Sequence, residues 1–127
     1  MAKSKTSPPS QQRLTSMMAG ENPPVDLETI RATVRRALVE RPVLPRAEEA
    51  LEITRALRSH LAVLVEAAVA RRNQHRRNSG PWYLWETVID RARRDMYQGP
   101  GCGLRSAVTH MQALGRTAEH ILNQLDQ

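Results

Sequence analysis

From residue 27 onward, apolar positions recur every three or four residues, the spacing that lines one face of an α-helix. Leu27, Ile30, Val34, Ala37 and Leu38 form the first stripe. Asp26 precedes it as an N-cap, Val25 and Ile30 have the spacing of a hydrophobic staple, and Pro42 stops the helix near Glu40. The pattern predicts a helix over 26–40. A second stripe runs through Leu51, Thr54, Leu57 or Arg58, Leu61, Leu64 or Val65, and Ala68, with Pro45 in the first turn and Glu48 and Glu49 at the positive end of the dipole. It predicts a helix over 46–75, about 45 Å long.

Asn78, Ser79 and Gly80 break the chain, and Pro81 opens a third helix over 81–97. Its seam is Trp82, Trp85, Ile89, Ala92 and Met96, with Asp90 and Arg94 as an outer i,i+4 pair. The turn Gln98–Gly103 leads to a fourth helix over 104–125. Leu104, Val108, Met111, Leu114, Ala118, Ile121 or Leu122, and Leu125 repeat there almost as a heptad. Gly115 within this stripe predicts the close passage of another helix, since glycine costs a helix about 1 kcal/mol relative to alanine. No alternating stretch competes with these helices. The fold class is all-α: a four-helix bundle-like domain over 25–127, behind a basic tail over 1–24 expected to be disordered.

Composition narrows the picture. Hydrophobic residues make up 40% and aromatics 3%, with no Phe, so the core is aliphatic. No apolar run approaches the roughly 20 residues of a membrane span, and residues 1–24 lack the apolar centre of a signal peptide. One cysteine, Cys102, precludes an internal disulfide and fits a reducing, cytoplasmic setting.

The second half of the chain carries Gly99-Pro100-Gly101-Cys102-Gly103-Leu104, then Ser106-Ala107-Val108-Thr109-His110 and a Leu-rich end. The first half carries DLETIRATVRRAL over 26–38, a Pro-rich turn, and Leu57-Arg58-Ser59-His60-Leu61. Together these resemble a small actinobacterial all-α family of unknown function whose members are labelled natural product biosynthesis proteins. The resemblance spans roughly residues 25–125 and implies a cytoplasmic protein encoded near specialised-metabolism or regulatory genes. It brings no catalytic residues, and the segment Arg71–Trp85 departs most from the family's pattern.

Net charge is +6. Between Arg41 and Asn78, eight Arg face four Glu, +4 of that total. Arg71, Arg72, Arg76 and Arg77 are the candidate nucleic-acid contacts, since clustered cations neutralise phosphates, and Tyr83 and the two tryptophans offer stacking faces. The plainer role is a helix end stabilised by cations beside its negative dipole. Trp82 and Trp85 are core residues by their spacing and an interaction face by their place near the bundle end. The Gly-rich turn lacks the Lys and Ser/Thr of a phosphate loop, and Cys102 has no adjacent base. His60, His75, His110 and His120 have no metal-ligand spacing. Neither catalytic nor metal residues nor a cofactor are expected. The leading function is a non-enzymatic accessory or regulatory protein acting through protein–protein contacts, with an unknown protein partner or a homodimer. The alternatives are nucleic-acid binding through the arginine cluster and a small-ligand-binding bundle.

Overall fold

Asp26 opens the first helix as the sequence requires. Its carboxylate accepts from the Thr29 amide at 3.1 Å and from the Thr29 hydroxyl at 2.6 Å, a cap that contributes about 1 kcal/mol. In a computed structural model, which describes residues 26–127, this cap begins α1, Leu27–Leu38; α2 is Ala47–Arg72, α3 Gly80–Tyr97 and α4 Leu104–Leu125. The predicted tail and the Val25 half of the staple lie outside the described residues.

Helix α2 begins one residue late and stops three residues early relative to the sequence pattern. Arg46 is its N-cap, so Pro45 lies before the helix instead of in its first turn. Turn bonds from Gln74 to the Arg71 carbonyl and from His75 to the Arg72 carbonyl then close its far end. Asn78 adopts a left-handed φ of 65°, which asparagine tolerates. Ser79 next caps α3 by accepting from the Trp82 amide.

The helices run up-down-up-down. Arg31 near the start of α1 meets Asp126 after α4 at 3.2 Å, and Arg71 near the end of α2 donates to the Leu125 carbonyl at 2.6 Å. Helices α2 and α4 form the central pair; α1 and α3 flank them on opposite sides without touching one another. Leu57, Leu61 and Leu64 of α2 share one core with Met111, Leu114 and Ile121 of α4, all fully buried. Each such side chain contributes about 1.5–3 kcal/mol. Gly115 sits where α1 crosses α4: a Cβ there would lie 3.0 Å from that of Ala37. The expected close passage is therefore present.

Three stripe residues are exposed instead of buried: Leu27, Leu51 and Leu104. The buried face of α2 begins with Ala50 and Ile53. For Leu51 the cause is the length of α3. Its C-terminal end is level with Arg58, which bonds the Met96 and Gln98 carbonyls. Leu51 lies two turns before Arg58 on the same face, where α3 no longer reaches. On α3 the i,i+4 ion pair that forms is Arg91–Asp95, at 3.6 Å, and not Asp90–Arg94.

Candidate functional site

The arginine run and the two tryptophans meet at one end of the bundle. The last turn of α2 supplies Arg71 and Arg72, the following turn Arg76 and Arg77, and the first turns of α3 supply Trp82 and Trp85. Arg71 lies 5.8 Å from the Trp85 ring while it donates to the Leu125 carbonyl at the end of α4. Arg72 pairs with Glu86 at 2.6 Å and lies 5.3 Å from the Trp82 ring; Arg77 is 5.9 Å from the same ring. Tyr83 meets Trp82 edge-on, with centroids 5.2 Å apart. Guanidinium–indole contacts of this kind contribute about 0.5–1 kcal/mol each.

The four arginines thus divide into two pairs. Arg71 and Arg72 are half-buried and bonded within the fold, whereas Arg76 and Arg77 are exposed. The tryptophans divide as well. Trp85 packs against the core, but Trp82 lies outside it, half-buried. The seam position assigned to Trp82 fails because it sits at the level where α2 ends, so it meets guanidinium groups in place of aliphatic side chains. Arg72, His75, Arg77, Trp82 and Glu86 help to line a depression of about 440 Å³ here.

The opposite end carries a surface that the helical periodicity did not reveal. Val39, Val43 and Leu44 in the α1–α2 turn are 51%, 73% and 41% exposed. They border a depression of about 570 Å³ whose other walls include Leu38 and Val108. Arg41 also borders it. Its Nη2 faces Glu49 at 3.4 Å, while its Nη1 is buried without a hydrogen-bond partner among the described residues. The sequence signal was available: two valines and a leucine between helices, in a turn punctuated by Pro42 and Pro45.

The imidazoles near the core are committed to structure. The Thr33 hydroxyl lies 3.2 Å from the Thr29 carbonyl and 3.2 Å from His60 Nε2, so His60 is hydrogen-bonded within the fold. His110 Nε2 lies 3.0 Å from Arg58 and must accept. Burial pushes the His110 pKa below its ordinary value, Arg58 pushes it the same way, and Asp95 opposes both. Burial likewise lowers that of His60, against the pull of Asp26. Cys102 is exposed. Among the described residues no group of three His, Cys, Asp or Glu is placed to hold a metal, and no helix is long and apolar enough to cross a membrane.

Neither a curated protein nor a solved structure matches the chain. A family model matches residues 28–127, so the chain belongs to a family of unknown function, DUF6415.

Proposed function

We propose that this protein is a non-enzymatic accessory or regulatory protein that binds another protein through its α1–α2 turn. One observation carries the reading: Val39, Val43 and Leu44 hold apolar surface in water around a depression large enough for a partner's side chain. The orphaned Arg41 Nη1 supports it, since a buried unpaired donor is costly and a partner's carbonyl or carboxylate could satisfy it. The non-enzymatic part is supported by the commitments of His60 and His110 to the fold. The resemblance to proteins labelled for natural product biosynthesis supports a setting in specialised metabolism.

Nucleic-acid binding has weaker support. Arg71 and Arg72 hold helix ends together, which leaves Arg76 and Arg77 to face solvent.

A photo-cross-linker tests the site directly in the native cell. Val43→p-benzoylphenylalanine is expected to give one defined adduct, while the same replacement at exposed Glu119 gives none. Equal, diffuse cross-linking at both positions would contradict the assignment.

A further inference from the structure

We propose a second binding site, for a small amphipathic organic anion, in the groove between α3 and α4. The flanking helix α3 packs closely on α2 but sparsely on α4. The gap is a depression of about 240 Å³ lined by Val88, Arg91, Arg116, Thr117, His120 and Ile121. Val88, half-buried, provides the accessible apolar floor, with the fully buried Ile121 behind it. Thr117 is itself only 6% exposed, and its hydroxyl donates to Asp95, which Arg91 also approaches. The Asp95 carboxylate is therefore already engaged.

The rim has the opposite character. Arg116 and His120 stand one turn apart on α4, both exposed and neither in an ion pair among the described residues. Arg91 faces them from α3, and at 3.6 Å Asp95 holds it only loosely. An apolar floor beneath a rim with two arginines and a hydrogen-bonding imidazole complements a carboxylate joined to a compact apolar body. The volume corresponds to about eight waters' share of liquid, which suits one ring or a short acyl chain. This groove is more enclosed than the depression at the α1–α2 turn, which favours a small molecule over a protein segment.

The test is a titration of the full ¹⁵N-labelled chain with 4-phenylbutyrate, its neutral counterpart 4-phenylbutanol, and inorganic phosphate. The carboxylate is expected to shift the amides of Val88, Arg91 and residues 116–121 saturably, with a dissociation constant on the order of millimolar or below. The alcohol and phosphate should each bind about tenfold more weakly, because each lacks one half of the ligand. Arg116→Gln with His120→Gln should weaken the carboxylate about tenfold while leaving the melting temperature unchanged, as both side chains are exposed. Three results would each overturn the site: no saturable shift, equal binding of acid and alcohol, or equal binding of phosphate. Shifts centred on residues 39–45 would overturn it as well.

Discussion

Gly115 of α4 lies so close to Ala37 of α1 that a methyl group added at 115 would sit 3.0 Å from the Ala37 Cβ and 3.2 Å from Leu38 Cδ2. Two opposing effects decide what Gly115→Ala does. Alanine raises helix propensity by about 1 kcal/mol, and overpacking costs about 1–3 kcal/mol. The crowding atom is a Cβ, which moves only with its backbone, so the variant is expected to lose about 1 kcal/mol net. Gly115→Leu should lose about 3 kcal/mol or more. Urea unfolding measures both, and a stabilised Gly115→Ala would show that the helices are further apart.

The burial pattern separates three leucines that look alike in sequence. Leu61→Asp or Leu114→Asp buries a charge at a fully buried site and should abolish cooperative thermal unfolding. Leu51→Asp should cost less than about 1 kcal/mol, since Leu51 is 51% exposed. A sharp, unshifted melt for Leu61→Asp would refute the core assignment. Collapse of Leu51→Asp would show that its face is covered.

Helices and core were legible because Leu, Ile and Val repeat at helical spacing and each helix has a local start or stop signal. Gly115 was legible because a glycine in an apolar stripe has few other uses. Leu51 and Trp82 were not, because their surroundings depend on where α3 begins and ends relative to α2. Nor could sequence show that Arg71 is tied to the Leu125 carbonyl, a contact across 54 positions. The apolar turn escaped notice because Val39, Val43 and Leu44 carry no helical period.

The division of the arginines has measurable consequences. Arg71→Gln and Arg72→Gln each remove a charge-assisted bond and should cost about 1–2 kcal/mol of stability. Arg76→Gln with Arg77→Gln should cost at most about 1 kcal/mol, since only the exposed Arg77–Trp82 contact is lost. That double variant is therefore the clean test of nucleic-acid contact. Binding to a short DNA duplex that falls steeply with salt in the wild type, and is lost in this variant, would establish the contact. On the protein-contact reading, no such binding is expected.

The histidines set an acid dependence. The folded-state pKa values of His60 and His110 are lowered from 6.5, in each case chiefly by burial. The unfolded chain therefore takes up these protons first, and stability falls as the pH drops below 6.5 toward the folded values. Protonating His110 also removes its hydrogen bond with Arg58 and sets two cations side by side. Urea midpoints measured from pH 7.5 down to 5 should decline. His110→Gln, which keeps an acceptor for Arg58, should flatten part of that decline. A midpoint that rises on acidification would contradict the assigned neutral tautomer.

The most direct measurement is native mass spectrometry of the gently purified full chain, compared with Val43→Asp/Leu44→Asp. Both positions are exposed in a turn, so the variant should keep the wild-type melting temperature, which is measured alongside. The wild type is expected above the mass of the bare chain, with a bound protein or a second copy, and the variant at the bare mass. A wild type found only as the bare chain, or a complex that survives both substitutions, would contradict protein contact through the α1–α2 turn.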